Sequence, residues 1–230
     1  MKKYLRLLLV LIPLILSACQ NNTSTETKHK ESSTSQSSRT STTNKKYKLS
    51  KKGSYYSLTN KYGQEIIIVN KKHPLSADYA PGENATAKAA LMELISKMQS
   101  LGYDVSQNYS GYRSYETQTQ LYQSYVNKDG KEQADTYSAR AGYSEHQTGL
   151  AFDLIDNEGN LLEETNASKW LLEHASDFGF IVRYQKSKES ITGYQAESWH
   201  LRYIGKEAKA IAKSGLSLEE YYGITGGNYN

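Results

Sequence analysis

Apolar positions recur at helical spacing most clearly from Glu83 to Leu101, where Ala87, Leu91, Leu94, Ile95 and Met98 form one stripe and Gly102 ends the run. Residues three and four apart share a helix face, so this stretch predicts a helix with one side in the core. Further helices are predicted at Tyr115 to Val126, with Ser114 placed as its cap, and at Lys131 to Ala139 beyond the Asp129-Gly130 turn. A fourth spans Asn166 to Phe178 and stops at Gly179; a last one spans Glu207 to Lys213. Strand patterns lie between them. Tyr55 to Leu58 and Gln64 to Asn70 flank a Gly63-containing turn as a hairpin, with Ile66 to Val69 apolar throughout. Tyr103 to Tyr109, Phe180 to Tyr184 and Trp199 to Ile204 also read as strands. In Leu150 to Ile155 the alternation sends Leu150, Phe152 and Leu154 to the core and Ala151 and Asp153 to the opposite face. Short strands separated by helices predict an α+β fold, an antiparallel sheet flanked by helices.

This pattern occupies residues 54–230, the expected folded domain. Ahead of it, Lys2, Lys3 and Arg6 precede an apolar run from Leu7 to Leu16, and small residues lead to Cys19, the one cysteine of the chain. That order is a secretory signal, and it resembles a bacterial lipobox, which makes residues 1–18 a lipoprotein signal peptide and Cys19 the lipidated N-terminus. The alternative, an uncleaved anchor, suits the sequence less well, because the run is short and Pro13 interrupts it. Residues 19–53 are Ser-, Thr- and Lys-rich and expected to be a disordered tether, reaching about 30 Å from the membrane. The expected location is therefore the extracytoplasmic face of a bacterial cytoplasmic membrane, facing the wall. A formal charge of +4 over 230 residues is mild; it suits solubility more than a polyanion site, so no nucleic-acid partner is expected. A monomer is expected.

The candidate chemistry is concentrated in Ser144 to Asp153 and in Glu197-Ser-Trp-His200. His146, Asp153 and His200 offer two imidazoles and a carboxylate, three ligands for a divalent metal with a fourth position open to water. Glu197 stands close enough to His200 to act on that water without binding the metal. Any one of these histidines alone is equally well a core residue; the combination carries the argument. His29, His73 and His174 are expected to take no part. One conflict is visible. If Trp199 to Ile204 is a strand, Glu197 and His200 should face opposite ways, so a bend or bulge near Ser198 must bring them together.

Ser-Gly-Tyr-Arg-Ser at 110–114, Ser-Glu-His-Gln-Thr-Gly-Leu-Ala-Phe-Asp at 144–153 and Glu-Ser-Trp-His at 197–200 together resemble the VanY family of D-alanyl-D-alanine carboxypeptidases. The similarity runs from about Ile66 to Gly223, most of all to the streptococcal L,D-carboxypeptidase lipoproteins; Ser198 stands where the family often has Pro. The resemblance implies the fold of the peptidoglycan peptidases and the Hedgehog signalling domain. It implies one Zn2+ held by His146, Asp153 and His200, with Glu197 as general base, and a peptidoglycan stem peptide as substrate, losing its C-terminal D-alanine. Arg113 is the expected charge partner of the oxyanion or of the terminal carboxylate, although a salt bridge at a turn would also explain it. Gln118, Ser144, Tyr184 and Tyr194 are the remaining substrate-binding candidates. The favoured bond is L-Lys-D-Ala of the tetrapeptide. D-Ala-D-Ala of the pentapeptide is the alternative, an endopeptidase comes third, and a non-catalytic zinc-containing wall-binding module is the rival from another class.

Overall fold

The computed structural model describes residues 47–229, so the signal peptide, Cys19 and the tether up to residue 46 lie outside the described residues. Seven strands and seven α-helices follow in chain order: β1 Ser50–Lys52, β2 Tyr55–Thr59, β3 Glu65–Ile68, α1 Ala85–Ser100, β4 Tyr109–Ser110, α2 Tyr115–Asp129, α3 Lys131–Tyr137, β5 Ala151–Leu154, α4 Thr165–His174, β6 Phe180–Tyr184, α5 Glu189–Thr192, β7 Glu197–Tyr203, α6 Ala208–Ser214 and α7 Leu218–Tyr222. The expected helices are present, and the caps act as read: the Ser114 side chain accepts from the Thr117 N–H at 3.1 Å, and Asn84 does the same for α1.

All pairings are antiparallel and divide between two sheets, β1-β2-β3 and β4-β5-β7-β6. β1 pairs with β2 inside the stretch assigned to the tether, so ordered structure begins before residue 54. The strand expected over Tyr103 to Tyr109 reduces to Tyr109–Ser110 against β5. Its apolar residue Val105 is buried, yet the segment is held by loop bonds such as Ser106 N–H to the Ile155 carbonyl at 2.8 Å rather than by a ladder. α5 and α7 lie in stretches where the sequence pattern predicted no element; α7 is started by a capping box between Ser217 and Glu220.

Two apolar clusters hold the four-stranded sheet. On one face Phe152, Leu154, Phe180, Val182 and Leu201 pack against Leu91, Leu94, Ile95 and Met98 of α1 and Leu171 of α4. On the other, Ile181 and Ile204 pack with Leu58, Ile66 and Ile68 of the first sheet, with Ile211 of α6 and with Leu218 and Tyr222 of the C-terminal helix. Each large side chain so buried contributes about 1.5–3 kcal/mol. The alternation read in β5 holds: Phe152 and Leu154 enter the first cluster, Leu150 packs at its edge, and Asp153 is directed to the other face beside its cross-strand partner His200.

Candidate metal centre

Three local devices bring the ligands together. Asp153 and His200 are register partners on β5 and β7. His146 sits in a 3-10 turn, Glu145–Thr148, whose start is capped by Ser144. Gly149 then turns the chain back at φ +69°, where an added Cβ would lie 2.0 Å from the Gly82 carbonyl oxygen, so position and backbone both require glycine. The bulge that the sequence demanded is also present. Val182 pairs with Leu201 but Tyr184 pairs with Glu197, so β7 carries two extra residues against β6 around Ser198 and Trp199. The bulge places a Glu197 carboxyl oxygen 3.7 Å from His200 Nδ1.

Ligand atoms of His146, Asp153 and His200 lie within 4.8 Å of one another, all three residues buried. His146 Nδ1 is 2.8 Å from the Gly111 carbonyl. A carbonyl only accepts, so Nδ1 carries the proton and Nε2 keeps its lone pair. Burial holds His146 below the usual imidazole range, against the pull of Asp153, so the ring is neutral. Its Nε2 nevertheless stands 3.1 Å from Asp153 Oδ2, lone pair against lone pair. Asp153 Oδ1 is buried and makes no hydrogen bond, although His200 Nδ1 lies 3.0 Å away, so these atoms converge without donor geometry. Such a gap fits a cation.

Charge makes the same case. Burial alone would raise Asp153, but the positive charge of His200 beside it holds it well below the carboxylate range. Burial opposes the charge on His200, yet Asp153 and Glu145 push it up to about 10. Glu197 is pushed up to about 8, by burial first and by Asp153 and Glu145 as well, against His200. Three carboxyl groups around one imidazole form an acidic set in which, without metal, His200 supplies the positive charge; a divalent ion is the group that would replace that proton.

These residues line a cavity of about 530 Å³ with Ser110, Arg113, Gln118, Ser144, Tyr184, Tyr194 and Trp199, a size suited to a short peptide. Every substrate-binding candidate thus reaches the cavity, with distinct holds. Arg113 donates to Gln118 Oε1 at 2.9 Å and to Ser110 Oγ at 3.0 Å, and its Nη2 is 3.9 Å from Asp153 Oδ2. Gln118 uses the other end of its amide on the Ala139 carbonyl at 2.6 Å; its evident task is to hold Arg113. Ser144 Oγ accepts from the His146 N–H. The Tyr184 ring lies 4.8 Å from that of His200 and 5.0 Å from that of Tyr194. His73 bonds Asn70 and His174 stands near Asp177 on the end of α4; neither is part of the centre.

Two groups escaped the sequence reading. Glu145 sits behind His200, its Oε2 3.3 Å from Nε2, and is held by the fully buried Arg183 and Arg202. A charged residue inside the apolar run Phe-Ile-Val-Arg-Tyr was the available signal. The second is Lys71, 3% exposed. Its ammonium donates to the carbonyls of Asp135 and Gly193 and lies 4.2 Å from the Tyr194 ring centroid, supporting that wall of the cavity. Burial pushes it down to about 8, helped by Arg140 and opposed by Asp135. An unfolded lysine titrates near about 10.4, so between these values the unfolded chain binds more protons and stability rises with pH. Against Lys71→Met, the wild type should gain on the order of 1 kcal/mol between pH 7.5 and pH 9.5 in urea unfolding. A difference independent of pH would contradict the assignment.

Imidazole nitrogens aimed at a carboxylate across a cation-sized gap, with a further carboxyl beside them and a peptide-sized cleft above, define a metal-dependent hydrolase. The family model described as VanY, D-alanyl-D-alanine carboxypeptidase, matches residues 82–206. The chain is 35% identical to the putative carboxypeptidase YodJ of Bacillus subtilis, over 87% of this chain and 85% of that one. The structure of the LdcB LD-carboxypeptidase, described for its peptidoglycan recognition, is 64% identical, covers 80% of this chain and 98% of its own, and superposes with a TM-score of 0.78. The Zn(II) complex of the D,D-pentapeptidase VanY from a VanB-type cassette is 34% identical, with 67% and 97% covered and a TM-score of 0.59. The chain belongs to the VanY family. It is a zinc metallocarboxypeptidase of peptidoglycan peptides.

Proposed function

We propose that the chain is an L,D-carboxypeptidase that removes D-alanine from the stem tetrapeptide at the L-Lys-D-Ala bond. The bond preference is supported by 64% identity to an LD-carboxypeptidase, against 34% to a D,D-pentapeptidase. The observation that carries the reaction is the convergence of His146 Nε2, Asp153 and His200 Nδ1 at the floor of the cleft with Glu197 beside them. Those three would hold the zinc. When bound, zinc brings the pKa of a coordinated water to about 7 and polarises a carbonyl.

The chain's own residues do the rest. Glu197, whose carboxyl sits near neutrality through burial, accepts the proton of the attacking water and delivers it to the leaving amine. Beside a bound divalent ion the Glu197 carboxyl would lie lower, in the basic form this role requires. Arg113 is the one Arg or Lys among the residues lining the cavity. Fixed by Gln118 and Ser110, it presents its guanidinium to the substrate's terminal carboxylate or to the oxyanion. Tyr184, Tyr194 and Ser144 shape the adjoining walls. The buried setting strengthens each of these charge interactions.

In the cell this domain works as a monomer on the outer face of the cytoplasmic membrane, tethered through lipidated Cys19. The basic, apolar and small-residue order at residues 2–19 supports the anchor. Among the described residues no helix is long and apolar enough to cross a membrane. The deciding experiment gives the zinc-loaded domain from Tyr47 onward synthetic muramyl tri-, tetra- and pentapeptides and reads products by mass. Loss of one alanine from the tetrapeptide is expected. Loss from the pentapeptide alone would assign D,D activity to the same centre, and zinc binding without any cleavage would favour a wall-binding module.

A further inference from the structure

Behind His200 lies a chain of buried charges that ends at the C-terminal helix. Arg183 Nε and Arg202 Nη1 both donate to Glu145 Oε1, at 2.8 and 3.0 Å. With that oxygen fixed, Oε2 is turned to His200 Nε2. Arg183 faces the other way as well: Nη1 and Nη2 form a fork on the two oxygens of Glu219 in α7, at 2.9 and 2.6 Å, and Asn70 donates to Glu219 Oε1 at 3.1 Å. Glu145, Arg183, Arg202 and Glu219 are each no more than 2% exposed. A guanidinium so enclosed takes its orientation from its two carboxylates, so moving one frees it from the other. α7 also lies beyond residue 206, where the family match ends.

We propose that Glu219 is a positioning residue of the metal centre: through Arg183 it fixes Glu145, which sets His200 with Nε2 protonated and Nδ1 free for the metal. Partners of a metal-binding histidine commonly contribute 10–100-fold to metal affinity; here that control extends one ion pair further, to a helix outside the cleft. The inference rests on the reading that His200 binds zinc. The test measures zinc dissociation constants of the purified chain by chelator competition, with folding followed by circular dichroism. Glu219→Gln should raise the constant about 10-fold and Glu145→Gln about 10–100-fold. The double variant should be no weaker than Glu145→Gln alone, because both act along one path. Ile211→Val, which loosens the same core without touching the network, should bind zinc as the wild type does. Wild-type affinity in Glu219→Gln, or effects that multiply in the double variant, would make α7 a structural brace and overturn the proposal. Should Glu219→Gln fail to fold, Glu219→Asp, which keeps the charge but shortens the fork, carries the same prediction. A wild type with no zinc site would instead sink the assignment of the ligands.

Discussion

Glu197→Gln lowers kcat by about 10²–10⁴-fold while zinc binds as before and the fold is at least as stable. The reasoning combines reach with burial. The Glu197 carboxyl stands within 3.7 Å of a ligand nitrogen but belongs to no ligand set, so removing its basicity stops proton transfer without opening the centre. Its charge is disfavoured by burial, so a neutral amide of the same shape relieves a penalty that the folded protein otherwise carries at neutral pH. Activity and melting temperature should therefore move independently, the first falling and the second holding or rising. Steady-state kinetics on the tetrapeptide, chelator competition and a thermal melt of the metal-free protein separate these effects. Loss of zinc from the variant would make Glu197 a ligand and remove it from the role of base.

The largest effect on stability should come from Arg183→Met. The guanidinium is enclosed between Glu145 and Glu219 and bonded to both; a methionine fills much of its space but leaves two buried carboxylates with half their compensation. Breaking a buried pair from one side costs about 3–5 kcal/mol, read as a shift of the urea midpoint at fixed zinc concentration. The sign of the pH effect follows. In the variant Glu145 loses a cation that holds its carboxyl low in the wild type, so its protonated form is favoured and the deficit against wild type should narrow as pH falls from 7 toward 5. A loss below about 1 kcal/mol would mean that Arg202 and Asn70 suffice to hold the network.

The candidate ligand set was legible in the sequence because His146 and Asp153 lie on one short segment, and because Asp153 alternates with Phe152 and Leu154 on a strand whose apolar face is plain. The sequence even exposed the bulge, since Glu197 and His200 cannot share a face of a regular strand. α1 and α2 were equally clear, each with an apolar stripe or a capping serine. The charge network was hidden for a physical reason. Glu145, Arg183, Arg202 and Glu219 meet only after β6 and β7 pair and α7 docks, and nothing local to any of them names its partner. The expected strand at Tyr103 failed because alternation there reflects one buried valine and a side-packed tyrosine, with no neighbouring strand over most of its length. The start of ordered structure at β1 was obscured by composition: Ser50-Lys51-Lys52 looks like linker, and backbone pairing to β2 alone makes it a strand.

The register pairing of Asp153 with His200 has a consequence for the order of events after synthesis. His146 and Asp153 are neighbours along the chain, but His200 arrives only when β7 lies against β5, and closing so long a loop is a step the chain must complete through its apolar contacts. Before that moment a metal meets two ligands at most, too few to organise the polypeptide. With those three residues as its ligands, zinc would be captured only once β7 has joined the sheet, as a late passenger of folding and not its template.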